Sequence, residues 1–411
     1  MRSALAEATA QLHKGLALLP SLIESPERWR QEMELQSLLG WTLFFAKGEG
    51  APEAGEAFLQ ARALCNQIGD RSVLYMQGCH HIARAEFTIA RRVAEEQLAV
   101  AREHSDPGLE VHAHQNLGRT LHWLGEFASA AAHFQDAFAV HLPDTRHQSL
   151  WRPPADAGRT IALSYLPMDL LVLGHPDQAM ARSTQGLVLA RKGEPYALAI
   201  ALWFAASFNR LRGMDQAALD FAAEASAIGE EQRFPLFVIL ADLQRGIIAS
   251  SRGETAEGLA LVRRACADYA AIGQSSGRTG QLGALAYCCE RAGEVDEALD
   301  LLNMALERAN VTQERYFEAE LYRYRAEWLV GHHRASEAEA ESCYERALAV
   351  SRNQKAKFWE LRATIGLARL WRGQGKRTEA RDLLAPIYGW FTEGFDTPVL
   401  RDAKALLDEL A

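Results

Sequence analysis

The stretch VHAHQNLGRTLHWLGEFASAAAHFQDAFAVHLP, residues 111–143, holds two apolar-periodic segments with one break between them. The first ends at Leu124 and Gly125, and the second runs from Phe127 to Val140. Gly125 permits the positive φ that closes a helix, and Glu126 suits the first turn of the next. Gly118 in the first segment and Ala130 in the second are small, so two helix backbones can approach closely there. Leu121 and Phe134 then fill the space on either side. The stretch predicts a helix–turn–helix unit with a tight crossing.

The same pattern recurs along the chain. Ala8, Ala54, Ala90, Ala130, Ala179, Ala218, Gly258, Ala298, Ala340 and Ala380 follow one another at steps of 36 to 49 residues. A bulky or apolar residue usually stands four places later and a small one seven places later, as in Ala298, Leu302, Ala305 and Ala340, Tyr344, Ala347. Self-similarity at this period marks a stack of units rather than a single catalytic domain. Gly174, Gly213, Gly253, Gly293 and Gly375 are each expected to close one helix. The Asp or Thr that follows (Asp177, Asp215, Thr255, Asp296, Thr378) is expected to cap the next.

The spacing resembles the tetratricopeptide repeat. Leu117, Gly118, Ala130, Phe134, Ala137 and Pro143 fall at or within one residue of that family's positions. Leu367, Trp371, Gly375, Ala380 and Leu384 make a second copy, and Gly246, Gly253 and Ala265 a weaker one. The expected fold is therefore all-α, a tetratricopeptide-like helix–turn–helix solenoid coiled as a right-handed superhelix. It has about nine full repeats, an N-terminal half repeat and a C-terminal capping helix. The half repeat rests on Ala8, Leu12, Gly15 and Pro20, which match a second helix without its first. That suggests an array continuing a longer chain. The expected organisation is N-terminal repeats over 1–140, an inserted loop at 141–158, C-terminal repeats over 159–395 and the cap over 396–411, all one continuous solenoid.

Bulk properties narrow the function. A net charge of −9 argues against general nucleic-acid binding. No run of 18 apolar residues exists, so no membrane-spanning helix is expected. The N-terminal MRSALAEATAQLHKGLALL lacks a signal core with a cleavage site. Cys65, Cys79, Cys266, Cys288, Cys289 and Cys343 form no C-x-x-C pair, and they are read as reduced thiols of a cytoplasmic protein.

The first helix of each repeat normally lines the concave groove, so that face carries the candidate binding residues. In the 111–125 helix they are His112, Gln115, Asn116, Arg119, His122 and Trp123. Corresponding faces offer Tyr75, Tyr165, Trp203, Phe204, Arg210, Arg323, Tyr324, Arg362, Arg369 and Arg372. Arginine beside aromatics suits capture of a peptide or a carboxylate, although several of these positions are equally suited to the core. Two further patches have two readings each. The insertion 141–158 is a functional loop or a plain surface loop. Residues 346–381 hold ten Lys or Arg against Glu360 and Glu379. They dock an acidic partner or phosphorylated ligand, or form a solvated face.

Signs of catalysis, metal binding and cofactor binding are missing from the motifs. His80, His81, His112, His114, His122 and His133 cluster, but no Cys or grouped acid completes a ligand set. Gly273 to Thr279, GQSSGRT, is one residue short of a phosphate loop, has Arg278 where lysine belongs, and follows no strand. Asp169 and Glu290 are candidates for burial, without a visible partner.

A second resemblance covers nearly the whole chain. Residues 337–411, 280–302 (GQLGALAYCCERAGEVDEALDLL), 314–330 (ERYFEAELYRYRAEWLV), 117–134 and 34–70 resemble the repeat region of bacterial predicted ATPases fused to class III adenylate/guanylate cyclase domains. The cyclase aspartates and the ATPase phosphate loop of that family have no counterpart here. The resemblance implies a non-catalytic, signal-sensing interaction module. Its partner is a protein or peptide ligand, or an upstream nucleotide-binding domain of the same parent chain. A stand-alone scaffold, or a sensor of a small-molecule inducer at the 141–158 insertion, are the alternatives.

Overall fold

The computed structural model describes residues 2–68, 73–142, 154–332 and 336–411. Most of the expected insertion, residues 143–153, lies outside them. The described residues form twenty α-helices and no strand. Helix α1 (Arg2–Leu18) stands first. Nine antiparallel pairs follow. They are α2 (Pro26–Lys47) with α3 (Pro52–Ile68), α4 (Leu74–Ala83) with α5 (Phe87–Glu103), and α6 (Pro107–Trp123) with α7 (Phe127–Ala139). Next come α8 (Ala155–Leu173) with α9 (Pro176–Ala190), α10 (Pro195–Leu211) with α11 (Asp215–Gln232), and α12 (Pro235–Ser251) with α13 (Thr255–Ala271). The last three are α14 (Arg278–Arg291) with α15 (Val295–Thr312), α16 (Glu318–Gly331) with α17 (Glu337–Asn353), and α18 (Lys357–Gly373) with α19 (Arg377–Trp390). Helix α20 (Pro398–Leu410) closes the array. The expected count of nine repeats, one leading half and one cap is the observed one.

The alanine series explains the pairing. Its members all lie on α1 or on the second helix of a pair, and from Ala54 to Ala380 the alanines have no exposed surface. Ala8 is half-buried, because α1 packs on α2 alone. Four residues after the small position, Phe58, Phe134 and Val262 press on the first helix of their own pair at Gly40, Gly118 and Gly246. Burying one such side chain is worth roughly 1.5–3 kcal/mol. A side chain on the opposing glycine would prevent the approach.

The turns inside the pairs behave as expected, but the caps do not. Gly125, Gly174, Gly213, Gly253, Gly293 and Gly375 take φ between +73° and +99°. The residue before each following helix is not the expected Asp or Thr. His175, Met214, Glu254, Glu294 and Lys376 hold those cap positions, with no side-chain cap bond. Asp177, Asp215, Thr255, Asp296 and Thr378 lie inside the first turn instead. The tight glycine turn sets the phase: the helix starts one or two residues sooner than the spacing suggested. A carboxylate there still favours the positive end of the helix dipole. Among the described residues, side chains cap helices at Ser25, Asp106 and Ser336.

The array coils so tightly that its early turns meet its late connections. The Ala83 carbonyl accepts from the backbone N–H groups of Ser275 and Ser276 at 2.8 and 3.0 Å. The Trp123 carbonyl accepts from Arg315 and Tyr316 at 2.9 and 3.2 Å. Gly50 packs on Gly273, Gly174 on Lys357 and Trp390, and Gly213 on Pro398. The Glu393 carboxylate accepts from the Asp177 and Gln178 N–H groups at 3.1 and 3.2 Å. Each contact joins repeats four or five units apart. One apolar core consequently runs from Ile82 on α4 to Trp359 on α18.

Replacing Gly118 tests the crossing. A Cβ there would overlap the Phe134 ring, so Gly118→Ala is expected to cost about 1–3 kcal/mol. Gly373→Ala, where a Cβ meets nothing within 4 Å, is expected to leave stability unchanged or slightly raised. Urea midpoints of the two variants check both.

Candidate binding cleft and the sealed inner face

Coiling divides the expected groove residues into two groups. The first group, on α6, α8 and α10, is enclosed by the chain itself. His112 has no exposed surface, and its ring centroid lies 4.2 Å from that of Tyr75. Gln115 is buried beside it, with Nε2 unbonded. The Asn116 amide donates to the Tyr75 carbonyl at 3.1 Å. Arg119 pairs with Glu49, N to O 3.6 Å, and lies over the Tyr165 ring at 5.8 Å. His122 Nδ1 is 2.6 Å from Asp169 Oδ1. Trp123 stands edge-on to Tyr316 at 4.8 Å, and Tyr165 meets Phe204 at 3.9 Å. Trp203, half-buried, packs on Phe204 at 4.3 Å. Arg210 donates to the Gln244 amide oxygen at 2.7 Å, and burial lowers its pKa.

This inner face is polar for a core. Burial pushes the Glu49 carboxyl above its ordinary range, against the pull of Arg119. The Tyr196 hydroxyl also donates to Glu49. Asp169 is raised by the same cause, opposed by His122, and its Oδ2 has no partner. The Nε–H of Arg119 and the indole N–H groups of Trp123, Trp203 and Trp359 are also unbonded.

The second group does meet an open surface. Arg323, Arg362 and Arg369 line a cleft of about 420 Å³ between α16, α18 and α20, together with Glu327, Tyr344 and Asp402. Buried Glu320 holds two of these arginines: Arg323 bonds both its oxygens at 2.9 and 3.0 Å, and Arg362 lies 3.1 Å away. Burial works to raise the Glu320 pKa, but the two guanidiniums outweigh it and hold the carboxyl below its ordinary value. Arg323 Nη1 reaches Glu327 at 2.6 Å, and Arg369 reaches Asp402 at 2.5 Å. Tyr324 stacks on Trp328 and takes the Arg323 guanidinium over its ring at 4.4 Å. Arg372 pairs with Glu409.

Periodicity alone did not point to Glu49, Glu320, Glu327 or Asp402, and it marked Tyr344 only as the bulky packing position of its repeat. Asp169 had one signal, a lone carboxylate in the apolar run around it. Glu290 also finds a partner, His332 at 2.9 Å. The basic segment 346–381 is largely matched by acids: Arg352 and Lys357 hold Glu360, Arg362 holds Glu320, and Lys376 faces Glu341. The loop that faintly resembled a phosphate cradle is occupied internally. The Glu314 carboxylate accepts from the backbone N–H of Thr279 at 3.1 Å and from that of Gly277. Cys289, Glu294 and Glu297 converge, but Arg263 bonds both carboxylates and burial raises the thiol to about 12. Among the described residues, no helix is long and apolar enough to cross a membrane.

The coiled architecture is similar to that of a Rap protein complexed with Competence and Sporulation Factor. The TM-score is 0.60 at 13% identity, over 86% of this chain and 99% of that one. The chain is a tetratricopeptide-type solenoid. A signal transduction ATPase with numerous domains and a tetratricopeptide repeat sensor, from Pyrococcus horikoshii, aligns at a TM-score of 0.46 and 14% identity. That alignment covers 93% of this chain and 54% of the ATPase. The Cut9–Hcn1 hetero-tetramer of APC/C aligns at 0.48 and 12%, over 87% of this chain and 66% of that chain. At these identities the likeness concerns the fold. No protein-family model and no curated protein matches the chain.

The Glu49–Arg119 pair is nearly dry, with side chains 10% and 8% exposed. Removing one partner leaves a buried charge alone. Arg119→Met is expected to cost about 3–5 kcal/mol, and Glu49→Gln with Arg119→Met together clearly less. A double-mutant cycle by chemical denaturation measures the difference.

Proposed function

We propose that the chain is a non-catalytic interaction module that takes a peptide, or an extended segment of a partner protein, into the cleft between α16, α18 and α20. The observation that carries this reading is the cleft's mixed lining. Arg362 and Arg369 offer planar donors for a carboxylate. Glu327 and Asp402 offer acceptors for an ammonium or guanidinium. Val330, Ile365 and Val399 supply apolar contact between them. A peptide presents all three chemistries along one strand. The likeness to the Rap protein that binds Competence and Sporulation Factor supports an array of this shape as a binder. The sealed inner face of α6 and α8 serves in this reading as scaffold, and the ligand contacts are those of Arg323, Arg362 and Arg369.

In its finer form, the array is the regulatory part of a longer ATPase–cyclase protein, as the resemblance of the repeat segments implies. A ligand that prefers one of two states of such a protein would shift its nucleotide turnover by that difference in affinity.

A displayed random-peptide library, selected on the chain, tests the binding. Convergent peptides are expected. Arg369→Ala and Glu327→Ala, both on the rim and outside the core, are each expected to weaken them about tenfold, or ~1.4 kcal/mol. Failure to enrich, or equal affinity for the variants, removes the cleft. A selected peptide is then expected to change ATP hydrolysis by the longer protein. An unchanged rate removes the regulatory role alone.

A further inference from the structure

A group of side chains away from the cleft carries a separate inference. His114 lies in the middle of α6 and is buried. His133 and Asp136 stand three residues apart on α7, one above the other on the same helix face. The pair crossing brings all three together. The Nδ1 atoms of His114 and His133 are 2.9 Å apart, and His114 Nδ1 is 3.7 Å from Asp136 Oδ2. One donor atom from each of the three side chains falls within 4.8 Å of the other two.

We propose that His114, His133 and Asp136 bind one divalent transition-metal ion, zinc by the chemistry of the set. A tetrahedral zinc with bonds of about 2.0–2.1 Å places its donor atoms about 3.3–3.4 Å apart. The observed 2.9 and 3.7 Å from His114 bracket that value, and His133 and Asp136 lie within 4.8 Å of each other, so side-chain rotations on the exposed side bring the three donors to it. Two nitrogens and one carboxylate suit zinc rather than calcium or magnesium, which prefer oxygen. Two uncharged rings facing through the same nitrogen share one proton between them, and the carboxylate beside them gains nothing from it. A cation uses all three acceptors at once.

The surroundings fit. Arg91 and Arg102, the nearest cations, are engaged by Glu126 at 2.7 Å and Glu110 at 3.5 Å. Glu110 also lies 3.9 Å from His114 Nε2, where a carboxylate can orient a metal-bound imidazole through its far nitrogen. Asp136 is on the exposed side, which leaves the fourth position to water. The Cys289 group differs on this point, because a guanidinium already stands between its carboxylates.

Titration of the chelator-treated full chain with zinc chloride, followed by calorimetry, tests the site. One saturable site per chain is expected. His133→Ala and Asp136→Asn are each expected to weaken it at least about tenfold. Both replaced side chains lie at least partly in solvent, and circular dichroism checks that the variants stay helical. Zinc is also expected to raise the melting temperature of the wild type and not of His133→Ala. A wild-type chain without one-to-one saturable binding, or a His133→Ala variant that binds as tightly, overturns the proposal.

Discussion

Everything in this molecule depends on how closely two helix backbones can approach within one pair. The small residue on the second helix, and the glycine or alanine it faces, let Phe58, Phe134 and their equivalents sit flat against the neighbouring helix. That spacing, repeated nine times, sets the rotation from unit to unit. The rotation in turn decides whether the inner helices enclose a channel or meet each other. Here they meet. The inner surface of α6, which in an open array would face solvent, is packed on all sides.

A closed interior puts unusual demands on polar groups. Glu49, Arg119, Asp169, His122, Glu314 and Glu320 all lie where water does not reach freely. Each has at least one partner of opposite charge or a backbone donor within reach. Such pairs add little net stability compared with apolar packing, but each is costly to break singly. They therefore act on the choice of coil. A coil that shifted by one helical turn would separate Glu49 from Arg119 and His122 from Asp169.

The unit was legible in the sequence, and the coil was not. The alanine series and the glycine turns are local: they depend on residues three to forty positions apart, and their spacing repeats. Helix number, pairing, the leading half and the cap follow from that alone. The contacts that close the coil, Trp123 with Arg315 or Asp177 with Glu393, join distant residues without any periodic mark. The burial of His122 and Trp123 could not be read for that reason: Tyr316, which packs on both, comes from far along the chain. Arg323, Arg362 and Arg369 were legible as one surface because they lie on the first helices of two successive repeats, α16 and α18. His114 and His133 were visible as neighbours in a histidine-rich stretch. Their meeting depends on the crossing point of α6 and α7, which spacing of the residues alone does not locate.

The bond from Glu393 to the start of α9, together with the backbone bonds from Ala83 and Trp123, changes how the molecule comes apart. In an open array each unit leans only on its neighbours, and loss of order begins at the ends and travels inward. Here the last turn grips the middle of the array, so the C-terminal end cannot peel away without loosening a repeat far behind it. Opening becomes a collective event with one large free energy in place of a ladder of small ones. The array would respond to load as a closed clasp does: firm up to a threshold, then all at once.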